Sequence, residues 1–149
     1  MGRLLVERLA ALMGRNDREI IRFLKFATVG ACGTLIDFAI LNVLILGPGL
    51  AKVTANTASF STAAFFNFVG NRLWSFPESR EKPFLSQMVR FLLVSLGGYI
   101  INQALFLGLS RYAFGGLGPL GYNLAKAAAT IVVLFWNYGV NRAWTYRGI

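Results

Sequence analysis

Four long apolar stretches leave this chain one plausible environment. They run from about Phe26 to Leu46 with one charge, Asp37; from Val53 to Asn71 with none; from Phe91 to Ser110 with none; and from about Leu120 to Val140, interrupted only by Lys126. A helix needs roughly 20 mostly apolar residues to cross about 30 Å of hydrocarbon, and each stretch is long enough. Barrel strands would be shorter and would alternate polar with apolar residues. The 149 residues are 56% hydrophobic and 14% charged. A soluble domain of this size buries only about two thirds of its unfolded surface and cannot hide that much apolar area. The expected fold is all-α and integral to a membrane, with four transmembrane helices.

Residue counts exclude much chemistry. The chain has no histidine, so it has no imidazole base and no histidine-ligated metal. Its single cysteine, Cys32, excludes an intrachain disulfide and a cysteine cluster for zinc or iron–sulfur. Five of the six carboxylates lie in polar flanks. No catalytic residue, metal or cofactor is expected, and the chain does not read as an enzyme.

The cations are distributed one-sidedly. Twelve of them (Arg3, Arg8, Arg15, Arg18, Arg22, Lys25, Arg72, Arg80, Lys82, Arg90, Arg142 and Arg147) fall before the first stretch, between the second and third, and after the fourth, against Lys52 and Arg111 on the other side. This bias predicts that both termini are cytoplasmic. It accounts for most of the net charge of +9 without a nucleic-acid partner. Within residues 1–21, Leu5, Leu9, Leu12 and Met13 share one helical face, with Arg8 and Arg15 elsewhere. That segment is expected to lie on the membrane as an amphipathic helix. Asn16-Asp17 would break it before a transmembrane domain over 22–149.

The chain repeats itself. Asn67-Phe68-Val69-Gly70-Asn71-Arg72-Leu73-Trp74-Ser75-Phe76 parallels Asn137-Tyr138-Gly139-Val140-Asn141-Arg142-Ala143-Trp144-Thr145-Tyr146 at an offset of 70. Arg22-Phe23-Leu24 and Arg90-Phe91-Leu92 open the first and third stretches. Two copies of a helical hairpin, about 22–76 and 90–146, are expected. Each copy crosses twice, so the copies should be related by an axis along the membrane normal.

Polar residues in the second and fourth stretches recur at steps of three, four and seven. Asn56, Ser59, Asn67 and Asn71, with small Ala63 between Ser59 and Asn67, form one stripe; Asn123, Lys126, Thr130, Asn137 and Asn141 form the other. Such stripes either knit helices together or line a polar path. Asp37 and Lys126 are intramembrane charges, which are costly and hence informative. Pairing with each other, contact with a polar head group and proton exchange all remain open for them. Arg22, Lys25 and Arg90 begin stretches one and three, and Arg72 and Arg142 end two and four, each followed by a tryptophan, Trp74 or Trp144, suited to the interface. Together these cations suit a phosphate at head-group depth.

These motifs resemble the GtrA-like family of membrane proteins. Arg22-Phe23-Leu24-Lys25-Phe26 with Gly30, Thr34, Asp37 and Phe38 is similar to the family's first helix, and the two Asn-aromatic-x-x-Asn-Arg-x-Trp runs to its signature. Ser75 replaces a common Thr, and Tyr138 and Tyr146 replace Phe. The resemblance covers about residues 20–147. It implies translocation of a polyprenyl-phosphate-linked sugar across the bacterial or archaeal cytoplasmic membrane for cell-surface polysaccharide synthesis. The phosphate would then be held by Arg22, Lys25, Arg72, Arg90 or Arg142. The sugar would pass Asp37, Asn56, Asn67, Asn71, Lys126, Asn137 and Asn141. Family domains are also fused to polyprenyl-phosphate glycosyltransferases, so the alternative is a non-transporting anchor or accessory subunit of such an enzyme. A proton-coupled exporter using Asp37 is a third reading. Expected partners are the lipid-linked sugar, membrane lipids and a membrane glycosyltransferase. Four helices are few to enclose a path, so a homo-oligomer is expected, with Gly30-x-x-x-Thr34 as a contact.

Overall fold

The computed structural model describes the backbone from residue 2 to residue 149. It describes the side chains of those residues except 2–13, 15, 45, 52, 53, 56, 119, 122, 123 and 126. Four α-helices carry the described chain: α1 (Gly2–Leu46), α2 (Lys52–Gly70), α3 (Phe84–Gly108) and α4 (Pro119–Val140). Among the described residues there is no strand. Among the described residues, two stretches are long and apolar enough to cross a membrane, Asn16–Leu44 and Phe84–Ala113.

α1 corrects one expectation. It continues through Asn16-Asp17 as a single helix of 45 residues. Asparagine and aspartate cost only a few tenths of a kcal/mol relative to alanine in a helix interior. Arg, Glu and Leu on either side favour helix, and Glu19 pairs with Arg22 one turn on, at 3.0 Å.

The chain divides into two compact units, Met1–Glu78 and Ser79–Ile149. In the first, α1 packs on α2; in the second, α3 packs on α4. Each unit is turned inside out relative to a soluble protein. Large apolar side chains point outward, such as Leu35 (71% exposed) and Phe135 (61%). Small ones fill the contact between helices: Ala55, Ser59 and Ala63 on α2, and Gly121, Ala125 and Ala129 on α4. Lipid is as apolar as leucine, so membrane helices associate by close packing, and small residues at every fourth position permit it.

The packing also corrects the repeat register. α1 buries Arg22, Phe26, Val29 and Gly33; α3 buries Gln87, Phe91, Val94 and Gly98. These sets correspond at an offset of 65, so Lys25-Phe26 is the counterpart of Arg90-Phe91, and Arg22 is the counterpart of Gln87. α2 and α4 keep the offset of 70, with Ala55 and Ala125 both fully buried. Five extra residues therefore lie in the link of the second hairpin. A five-residue π-helical turn, Leu109–Ala113, stands there with no counterpart after α1.

Candidate functional site

The repeated signature folds into the same device twice. α2 and α4 each end in a π-helical turn, Asn71–Ser75 and Asn141–Thr145. The wide turn is closed by Phe76 N–H donating to the Asn71 carbonyl and by Tyr146 N–H donating to the Asn141 carbonyl, both at 2.8 Å. The asparagine side chains staple it. Asn71 Nδ2 donates to the Asn67 carbonyl at 2.8 Å, and Ser75 Oγ donates to Asn71 Oδ1 at 2.7 Å. Asn141 does the same, to the Asn137 carbonyl at 2.8 Å and from Thr145 Oγ1 at 2.7 Å. π turns in α-helices are frequently found at functional positions. In a membrane the irregular backbone groups must find partners inside the protein.

Each π turn receives a cation from the partner helix of its own hairpin, Lys25 from the middle of α1 and Arg90 from the second turn of α3. Lys25 Nζ lies 5.5 Å from the Trp74 ring centre and donates to the Trp74 carbonyl at 3.5 Å. Arg90 repeats this: its guanidinium is 5.9 Å from the Trp144 ring, and Nη1 donates to the Trp144 carbonyl at 3.5 Å. Both indoles are exposed, and these separations suit cation–π attraction. The hydrogen bonds are long, so the cations are held loosely. Beside these corners Arg72 is buried, and Arg142 Nη1 donates to the Tyr146 carbonyl at 3.3 Å.

Arg22 is placed differently. It is buried over the Phe76 ring at 5.8 Å. Its Nη1 donates to Glu19 Oε1 at 3.0 Å, and its Nη2 to Glu78 Oε1 at 3.1 Å. A hydrogen bond from its own backbone N–H holds the Glu78 carboxyl below its ordinary 4.5. Burial opposes this, and the charge and hydrogen bond of Arg22 and the charge of Arg18 add to it. This lock belongs to the first hairpin, because Gln87 occupies the equivalent position in the second.

Further along, Asn67 and Asn137 face the neighbouring helix of their own hairpin. A Cβ added to Gly33 would overlap the Asn67 amide, and one added to Gly98 would lie 2.6 Å from Asn137 Oδ1. Among the described residues, neither Asn Oδ1 has a hydrogen-bond partner, nor does the buried Oδ1 of Asp37.

The sequence matches the family described as GtrA/DPMS, transmembrane domain, over residues 25–146. The chain belongs to this family. The match begins at Lys25, the first of the two cations that meet an indole, and ends at Tyr146, the last residue of the second signature. The GtrA/DPMS chain is therefore a membrane protein. It is 30% identical over 122 residues to the uncharacterized membrane protein YngA of Bacillus subtilis (strain 168), covering 82% of this chain and 77% of YngA. It is also 26% identical over 135 residues to a dolichol-phosphate mannosyltransferase of Pyrococcus furiosus, covering 87% of this chain but 35% of that enzyme. The GtrA/DPMS chain thus spans about a third of the mannosyltransferase.

Of the expected site residues, the GtrA/DPMS fold brings Lys25 to Trp74 and Arg90 to Trp144. It commits Arg22 to two carboxylates. It corrects Asn71 and Asn141: expected to line a sugar path, they are 1% and 0% exposed, with amides tied into the π turns. Asn56 and Lys126 lie outside the described side chains. Sequence reasoning missed the Ser75 and Thr145 hydroxyls, the glycine partners Gly33 and Gly98, and the polar residues of α3. An offset of 65 applied to the first helix of each repeat would have exposed the glycines, and would have paired Asp37 with Asn102.

Proposed function

We propose that this protein binds polyprenyl-phosphate-linked sugars at the cytoplasmic membrane and moves them between leaflets. The observation that carries the reading is the doubled cation–indole corner, Lys25 on Trp74 and Arg90 on Trp144, within a family whose description includes the membrane domain of a dolichol-phosphate enzyme. A cation held by one long hydrogen bond and an exposed indole can turn to a lipid phosphate, and the indole sits at the interface. In this reading each corner takes a phosphate by itself, Lys25 with help from Arg72 in the first hairpin and Arg90 with help from Arg142 in the second, and Arg22 fixes the first hairpin. Asp37, Asn67, Asn137, Asn56 and Lys126 remain the polar groups along the way.

The supporting topology has four crossings and both termini on the cytoplasmic side, as the cation bias requires. The α1 turns that precede the first crossing continue the same helix on that side. No covalent chemistry is assigned to the chain. Copies associate through the Gly30–Thr34 face, where a Cβ on Gly30 would meet nothing within 4 Å.

The test uses purified protein in liposomes with a fluorescent polyprenyl-phosphate hexose and a membrane-impermeant quencher. The protein should let the quencher reach inner-leaflet probe. Lys25→Ala with Arg90→Ala should slow this, and Arg80→Ala should not. A probe that stays protected rejects translocation. A second reading, an accessory or anchoring module, is favoured by the match to a third of a mannosyltransferase. It predicts no scrambling but stimulation of a membrane glycosyltransferase by added protein.

A further inference from the structure

The second hairpin carries an unexplained polar patch at membrane depth. Tyr99, Asn102 and Gln103 lie near the middle of the apolar segment Phe84–Ala113. At 1.5 Å per residue, all three fall within about 7 Å of its midpoint. Steps of three and four put them on one face of α3. Gln103 Nε2 donates to Tyr99 Oη at 3.1 Å, which joins the two into one surface. Tyr99 is 48% exposed, Gln103 is exposed and Asn102 is half-buried. Among the described residues the Asn102 side chain makes no hydrogen bond. Hydrocarbon offers such amides nothing, and polar groups kept at this depth mark pathways. The first hairpin supplies an independent pointer. Asp37 stands at the α1 position equivalent to Asn102, and its buried Oδ1 is likewise without a hydrogen-bond partner among the described residues.

We propose that Tyr99, Asn102 and Gln103 form a mid-membrane contact for the sugar itself, apart from the phosphate contact at Lys25 and Arg90. An amide offers a donor and an acceptor side by side, matching two adjacent hydroxyls. The Tyr99 ring offers an apolar face to the carbon–hydrogen side of a pyranose. Acyl tails have no group to meet these amides. A sugar is dense in hydroxyls that need partners while crossing. The inference rests on the proposed function and names the groups that handle its cargo at the midplane.

The experiment uses full-length protein in lipid nanodiscs and two probes, a polyprenyl-phosphate hexose and the same polyprenyl phosphate without sugar. The wild type should bind the glycosylated probe roughly tenfold more tightly, the value of one or two directed polar contacts. Asn102→Leu with Gln103→Leu should abolish that preference and leave the sugar-free probe bound as before. Leucine suits lipid, so thermal unfolding should show a folded protein. Tyr99→Phe, which removes only the hydroxyl that Gln103 bonds, should reduce the preference and serves if the double variant fails to fold. A preference that survives these changes overturns the sugar contact. So does an equal loss for both probes, or a change of oligomeric state in the double variant, which would make the amides a joint between copies. A wild type that binds the sugar-free probe through Lys25 and Arg90 without preferring the hexose overturns this contact alone. A wild type that binds neither probe overturns the proposed function with it.

Discussion

Replacing Asn141 by alanine tests whether the signature asparagines hold the π turns. Asn141 is fully buried, with Nδ2 on the Asn137 carbonyl at 2.8 Å and Oδ1 receiving Thr145 Oγ1 at 2.7 Å. Each hydrogen bond contributes about 0.5–1.5 kcal/mol net, and a buried group left unpaired costs about 1–3 kcal/mol. The Asn137 carbonyl keeps the Asn141 backbone N–H, so its loss is small. The Thr145 hydroxyl, 1% exposed, would lose its acceptor. The expected cost is about 2–4 kcal/mol, concentrated at the turn. Equilibrium unfolding in mixed micelles reads the total. Hydrogen exchange of the Tyr146 amide, which closes the turn onto the Asn141 carbonyl at 2.8 Å, reads the local part. At tenfold per 1.4 kcal/mol, that amide should exchange roughly 30-fold to several-hundred-fold faster. Thr145→Val combined with Asn141→Ala should cost about 1–2 kcal/mol less than the sum of the single variants, because the stranded hydroxyl is gone. Asn71 and Ser75 have matching distances, so Asn71→Ala should reproduce the result at Phe76. Strict additivity, or a Tyr146 amide that exchanges as in the wild type, would refute the staple.

Two further outcomes follow from the first hairpin. Gly33→Ala should destabilise it by about 1–3 kcal/mol, since the new methyl enters the Asn67 amide. Gly14→Ala, in open space on the same helix, should be neutral or stabilising by up to about 1 kcal/mol. Equal unfolding midpoints for the two variants would contradict the close approach. The Glu78 carboxyl is held below its ordinary 4.5 mainly by its own backbone N–H and by Arg22. Its ionised form therefore favours the fold above pH 4.5, and that contribution disappears as acidification passes below this value. Thermal unfolding from pH 6 to pH 3 should show acid sensitivity that Glu78→Gln reduces. An unchanged acid slope in that variant would remove the lock from the account.

The sequence by itself determined the helices and their environment. A backbone in hydrocarbon must bond to itself, so apolar runs of this length admit little but helix, and α2, α3 and α4 fall where the runs predicted. It also determined the family, because the Asn, Arg and Trp of the signature recur in order at 70 residues. What it left undecided was which side of each helix faces which neighbour. Matching Arg22-Phe23-Leu24 with Arg90-Phe91-Leu92 satisfies the letters. Packing instead pairs Lys25-Phe26 with Arg90-Phe91, because Gly33 and Gly98 must meet Asn67 and Asn137. The same limit hid the role of Asn71 and Asn141. A stripe at steps of four places Asn71 and Asn141 on one face with Ser75 and Thr145, but only the closed hairpin buries that face and ties the hydroxyls to the amides. Residue spacing encodes direction around a helix axis; the depth of contact between two axes sets what lies across from each side chain, and that exists only once the hairpins have closed.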